Sequence, residues 1–237
     1  MPSGTEQKLV RKLRQRKYRW QEKLFIAEGP KVIADLESEG LEPLKAWSTD
    51  LNSPYQTISE KDLAALSNFS TANQSLAIFP FPELDFSDSP RLLILDGIND
   101  PGNLGTLIRT ADWFGFKEIY CTNGTADVYN PKTVQSTMGS IARIKIAYAD
   151  AQELYDSLKD NYRLLSADMQ GLSLAELKEN SHQNIALIMG SESHGPSEFW
   201  QENTEAITIA KTNIASAIDS LNVAVAGAIL MEHLAQK

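Results

Sequence analysis

A single cysteine, Cys121, leaves the chain without a partner for an internal disulfide. Three scattered histidines, His182, His194 and His233, form no metal-ligand spacing, so no metal is expected. No apolar run approaches the length of a membrane span, and the polar, basic N-terminus has no apolar core of a secretory signal. A soluble cytoplasmic protein with no membrane partner is expected. Neither G-x-G-x-x-G nor G-x-x-x-x-G-K-[ST] occurs, and Gly102 with Gly105 forms only one Gly-x-x-Gly. A glycine loop cradling a nucleotide phosphate is therefore not indicated.

What is there is unevenly charged. The net charge of −9 argues at first against nucleic acid. Residues 1–31, however, hold nine Lys/Arg, among them Arg11, Arg14, Lys17, Arg19 and Lys31, against Glu6, Glu22 and Glu28. That segment carries +6 and the remainder −15. A basic arm on an acidic body is the asymmetry expected when one part meets phosphates while the other stays soluble. Tyr18 and Trp20 lie among the cations, where they can stack on bases, which favours RNA or DNA contact over a merely solvated helix face.

At 237 residues and 42% hydrophobic, the chain can fill one large core or a small and a large domain. Residues 5–22, with Leu9, Leu13 and Trp20 among charges, read as one amphipathic helix. Short strands are expected at 24–27, 44–47, 55–58 and 76–79, with a helix after Glu28-Gly29-Pro30 and another at about 60–66. Residues 79–90 contain Pro80, Pro82 and Pro90 with three acidic residues. This composition places a small α/β domain at 1–82, a linker at 83–90 and a second domain at 91–237. In the second domain, strand candidates at 91–95, 118–121, 144–147, 163–167, 185–189 and 206–209 alternate with helix candidates. That alternation implies βαβ units and a mostly parallel sheet, with the ligand site at the carboxyl ends of the strands.

The second domain is organised around residues 91–116. Arg91–Leu95 is an apolar run suited to a strand covered on both faces, and Asn99-Asp100-Pro101-Gly102 is turn punctuation. Asn103 reads as the N-cap of a helix whose apolar positions are Leu104, Leu107, Ile108, Ala111 and Phe114, with Gly115 as the stop. The other face carries Gly105, Thr106, Arg109 and Asp112, and the small bulk there would let a ligand or a neighbouring backbone come close to Arg109. Two further strand ends stand out: Gly190-Ser191-Glu192-Ser193-His194-Gly195, and Ile209 through Asn222. Each segment taken alone is ordinary connection chemistry, a turn or a helix cap. Their order, all at strand ends, is not.

These residues resemble the SpoU (TrmH-type) branch of the SPOUT family, S-adenosylmethionine-dependent RNA 2′-O-ribose methyltransferases. The likeness runs from about residue 92 to the C-terminus through DPGNLGTLIRTADWFG, NPKTVQSTMGSI, GSESHGPS and SLNVAVAGA. The N-terminal part resembles the small substrate-binding domain found upstream of SpoU domains, with Phe25, Glu28, Gly29 and Lys31 as the match. The resemblance implies an α/β fold in which a small N-terminal α/β domain precedes a SPOUT-type sheet domain with a C-terminal trefoil knot. It also implies an S-adenosyl-L-methionine cofactor, an rRNA or tRNA partner, and a homodimer whose active site uses both subunits. Arg109 would stand at the 2′-OH, with Asn103, Glu192, Ser220 and Asn222 holding it and the target nucleotide. Backbone groups near Met189, Gly190, Ile209 and Leu221 would cradle the cofactor, and Lys132 would join the basic arm in binding RNA.

This chain departs from the family at two places. Ser191 and Ser193 stand where the second motif usually has Asn and Gly, and Ile209-Ala210-Lys211 with a longer spacer replaces Ile-Pro-Met before Ser220-Leu221-Asn222. A guanidinium holds its protons at neutral pH, so Arg109 suits phosphate binding and stabilisation of a developing alkoxide, and the base is left open. A catalytically silent RNA-binding chaperone on the same fold and a nucleotide-binding α/β enzyme unrelated to RNA are the other classes. Cofactor titration separates them.

Overall fold

The computed structural model describes residues 2–83, 89–177, 184–213 and 217–236. The chain forms two units, one of residues 1–84 with 127–143 and one of residues 85–126 with 144–237.

The first unit opens with two helices, α1 (Gly4–Leu13) and α2 (Arg16–Glu22), where the periodicity predicted one. The break falls at Gln15, whose backbone is extended (φ −99°, ψ 133°). Arg19 satisfies the freed carbonyls, donating to Leu13 O at 2.7 Å and to Arg14 O at 2.9 Å. The apolar spacing of Val10 and Leu13, both wholly buried, continues smoothly into the cations and carries no sign of this break. Then follow β1 (Leu24–Glu28), α3 (Pro30–Ser38), β2 (Lys45–Ser48), β3 (Gln56–Thr57), α4 (Glu60–Leu66) and β4 (Ser75–Pro80). The sheet order is β1-β4-β2-β3, with β4 antiparallel to β1 and β2. Val10 and Leu13 pack with Ile26, Trp47, Leu63 and Ile78 into its core. Of the expected linker, residues 84–88 lie outside the described residues.

The second unit begins with β5 (Arg91–Asp96), α5 (Pro101–Trp113) and β6 (Glu118–Cys121). After it the chain returns to the first unit for α6 (Pro131–Thr137). It comes back as β7 (Lys145–Tyr148), α7 (Ala151–Leu158), β8 (Tyr162–Ser173), β9 (Asn184–Gly190), α8 (Glu198–Asn203), β10 (Glu205–Thr208) and α9 (Val223–Ala235). The six strands lie in the order β10-β8-β9-β5-β6-β7, every pair parallel. All six expected strands form. β8 runs past its predicted end because Gly171 lets the β10 backbone come close: a Cβ there would lie 2.5 Å from Ala206 C, beside the register shift between Ala206 and Ile207. At the far end of the unit, Arg91 donates to Leu234 O and Ala235 O, capping the last turn of α9.

Residues 127–143 correct the expected division of the chain, which had put all of 91–237 in one domain. Asp127 accepts from Arg19 Nε at 2.7 Å and from Trp20 Nε1 at 3.0 Å. Tyr129 stacks on Phe81 with ring centroids 3.6 Å apart, and Arg143 pairs with Glu39 at 2.9 Å. Gly139 (φ +85°) presses so closely on α3 that a Cβ would lie 2.7 Å from Asp35 Cβ. Burial and the Asp127 charge push the Tyr129 hydroxyl well above its usual range, so it stays neutral.

Candidate active site

The cap of α5 is Asp100, not Asn103. Asp100 accepts from Asn103 N at 2.8 Å, and Pro101 fills the first helical position, where a missing N–H leaves nothing unpaired. Asp-Pro at a helix start is a signal the sequence does hold. The consequence is that the Asn103 amide is free to face outward from the first turn. Asn103 Nδ2 donates to Glu192 Oε2 at 3.2 Å, while Asn103 Oδ1 accepts from Asn222 Nδ2 at 3.1 Å. Asn222 Nδ2 also reaches Glu192 Oε1 at 3.2 Å. Three strand-end segments thus meet in one closed cluster of two amides and a carboxylate.

Each member is held by its own segment. Asn222 caps α9, its Oδ1 accepting from Ala224 N at 3.0 Å and Val225 N at 3.4 Å, which leaves Nδ2 for the cluster. Glu192 rides on a tight loop closed by Gly195 N donating to Ser191 O at 2.9 Å. At Gly190 a Cβ would lie 1.8 Å from Gly195 C, so only glycine allows the loop's ends to meet. The two serines that depart from the family pattern bind His194: Ser191 Oγ accepts from its N–H at 3.2 Å, and Ser193 Oγ lies 2.7 Å from its Nδ1. If this cluster is the active site, Asn222→Ala should slow its reaction more than tenfold, while the missing cap costs only about 1 kcal/mol of stability. Wild-type turnover in a folded variant would remove Asn222 from the site.

Arg109 is exposed, six residues along α5 from Asn103, and its side chain makes no hydrogen bond or ion pair among the described residues. Gly105 is buried on α5, as expected of a position where a neighbouring part of the chain comes close. Ser220 is exposed and stands outside the hydrogen-bonded cluster among the described residues. Met189 and Gly190 are buried at the end of β9, Ile209 is half-buried just after β10, and Leu221 is 46% exposed before α9. At Ile209 and Leu221 the backbone has left strand and helix, so amide and carbonyl groups flank apolar side chains. That donor set fits an adenine edge and its apolar face.

The expected RNA contacts divide. Arg11, Lys17, Lys31 and Lys132 are exposed on the first unit. Arg14, also exposed, donates to Ala65 O, Leu66 O and Ser67 O at 3.2, 3.2 and 3.0 Å, capping the end of α4. Arg19 is corrected outright: it is 2% exposed and committed to Asp127, so it cannot meet RNA. No local signal marks that pairing, because the partner lies 108 residues away. Among the described residues no three His, Cys, Asp or Glu side chains gather as a metal site, and no helix is long and apolar enough to cross a membrane.

An open parallel sheet whose carboxyl-end loops gather two amides and a carboxylate, with an exposed arginine on the adjoining helix, defines a strand-end α/β enzyme site. The chain belongs to the SpoU rRNA Methylase family, whose model matches residues 90–232. It is 32% identical to the 23S rRNA (guanosine(2553)-2′-O)-methyltransferase RlmP of Bacillus subtilis over 94% of this chain and 93% of that one. A TrmH-family structure from Porphyromonas gingivalis superposes with a TM-score of 0.83 at 31% identity, covering 98% of each chain. The AdoMet-bound rRNA methyltransferase of Sinorhizobium meliloti gives 0.81 at 26% identity, over 100% of this chain and 97% of that one.

Proposed function

We propose that this protein transfers the methyl group of S-adenosyl-L-methionine to a ribose 2′-OH of structured RNA, and that the RNA is ribosomal. The Asn103–Glu192–Asn222 cluster carries the reading, because it joins the three family motifs through side-chain hydrogen bonds. The ribosomal assignment is supported by the full-length likeness to a 23S rRNA enzyme. The cofactor, when bound, supplies an electrophilic methyl on a sulfonium. The chain's own residues do the rest. Backbone groups near Met189, Gly190, Ile209 and Leu221 hold the cofactor, and the cluster orients the nucleotide. Arg109 grips the neighbouring phosphate and offers N–H donors to charge developing on the 2′ oxygen. Mapping 2′-O-methylation in RNA from cells with and without the protein tests the reading. An unchanged map would reject it.

Exposed Arg11, Lys12 and Lys17, with Tyr18 beneath Lys12 at 5.4 Å, support RNA binding by the first unit. Deleting the arm would also remove Val10, Leu13 and Arg19 from a core, so charge reversal is the cleaner test. The triple variant Arg11→Glu, Lys12→Glu, Lys17→Glu should weaken RNA binding and flatten the log–log salt slope by roughly 0.7–0.9 for each phosphate no longer neutralised. An unchanged slope would make this a solvated face.

We infer a homodimer as well, by the exposed apolar residues at the start of α9 and not by its small residues Ala224, Gly227 and Ala228. Gly227 is consumed inside the chain, where a Cβ would lie 2.5 Å from Leu107 Cδ2, and Ala224 is buried. Leu221, Val225 and Ile229, spaced by four residues, are instead 46%, 50% and 39% exposed. Val225→Glu with Ile229→Glu should yield monomers at micromolar concentration by light scattering. A wild-type protein already monomeric and fully active would end the proposal.

A further inference from the structure

The buried carboxylate at the end of β5 stands at the root of the loops that make the site. Asp96 is the last residue of that strand, 8% exposed, and in register with Gly190 of β9. Its Oδ2 accepts from Ser197 N at 2.7 Å, and its Oδ1 accepts from Thr122 Oγ1, just past the end of β6. Ser197 closes the Glu192 loop and starts α8, where its own side chain makes no cap bond. On the other side, Gly97 (φ +69°) turns the chain toward Asp100, the cap beneath Asn103, and its N–H donates to Thr125 Oγ1 at 3.1 Å. No cation pairs with Asp96 among the described residues. It is a buried carboxyl group held by two neutral donors, an arrangement that costs stability unless both bonds are kept.

We propose that Asp96 is a positioning residue for methyl transfer: by holding Ser197 it sets the height of the 190–197 loop, so that Glu192 meets Asn103 and Asn222. The proposal rests on the methyltransferase reading above. Gly190 and Gly195 already press the two ends of the loop together, so the loop moves as a block. The Asp96–Ser197 bond is the side-chain tie from β5 to that block. Losing it lets Glu192 drift from two partners that sit at 3.2 Å, and misplacements near 1 Å are worth about 100-fold in rate.

The test is single-turnover methylation with saturating cofactor, on an RNA that the wild-type protein methylates. That wild-type control separates failure of this proposal from failure of the functional reading. Asp96→Ala is expected to slow transfer on the order of 100-fold. Asp96→Asn should stay within about threefold, because its Oδ1 still accepts from Ser197 N and its Nδ2 donates to Thr122 Oγ1. The double variant Asp96→Ala, Glu192→Ala should be no slower than Glu192→Ala alone, since contributions made through one group are not additive. A merely structural aspartate would instead lower the melting temperature and leave the rate of folded protein intact, whereas an effect on rate unrelated to Glu192 would add to that of Glu192→Ala. Either a wild-type rate in folded Asp96→Ala or full additivity overturns the proposal. If Asp96→Ala does not fold, Asp96→Glu, which keeps the charge and pushes Ser197 outward by one methylene, takes its place with the same two outcomes.

Discussion

Arg109→Ala is expected to lower the single-turnover methyl-transfer rate by roughly 100- to 1000-fold, the size typical of a donor that acts on charge developing in the transition state. Cofactor affinity, measured by calorimetry, should change little. Arg109 lies on the exposed face of α5, and the groups proposed to hold the cofactor are on the ends of β9 and β10 and before α9. Because its side chain makes no hydrogen bond or ion pair among the described residues, its removal leaves no buried group unpaired, and the loss should appear in rate and not in stability. Arg109→Lys should restore little, since a point charge does not reproduce the planar fork of a guanidinium on phosphate. A near-normal rate in Arg109→Ala would sink the mechanism even with the family assignment intact.

The second large effect is on stability. Asp127→Ala leaves the Arg19 guanidinium buried without its counter-charge, which should destabilise the first unit by about 3–5 kcal/mol. A two-unit protein need not unfold in one step, so hydrogen exchange of β1 and β4 amides is the better measure than a single melting midpoint. Replacing both partners by Arg19→Met and Asp127→Leu should recover much of the loss, although Leu13 O and Arg14 O would lose the donor that Arg19 supplies. Unchanged protection in Asp127→Ala would show that the pair is worth nothing net.

What the sequence could show was local. The apolar run of β5, the period of α5 and the stop at Gly115 (φ +79°) all depend on neighbours within a few residues, and all three formed as read. Asp100-Pro101 was equally local, but Asn103 two residues later offered a competing cap of the same chemistry. The break between α1 and α2 was not readable, because what stabilises it is a side chain reaching back from Arg19. The length of β8 depends on a bulge against β10, a strand far along the chain. The Asn103–Glu192–Asn222 cluster spans separations of 89, 119 and 30 residues. No periodicity reports such a meeting; only the order of the motifs pointed to it.

The return of residues 127–143 to the first unit bears on how this protein could be recombined with its relatives. A graft that joined residues 1–84 to a foreign catalytic portion would carry only half of a surface. Arg19 would face whatever residue replaced Asp127, Phe81 would lose the ring of Tyr129, and any residue other than glycine at 139 would collide with Asp35. A viable chimera therefore needs three splice points instead of one, and inheritance of the two halves should be linked: substitutions at 19 and 127 are tolerable together and damaging apart.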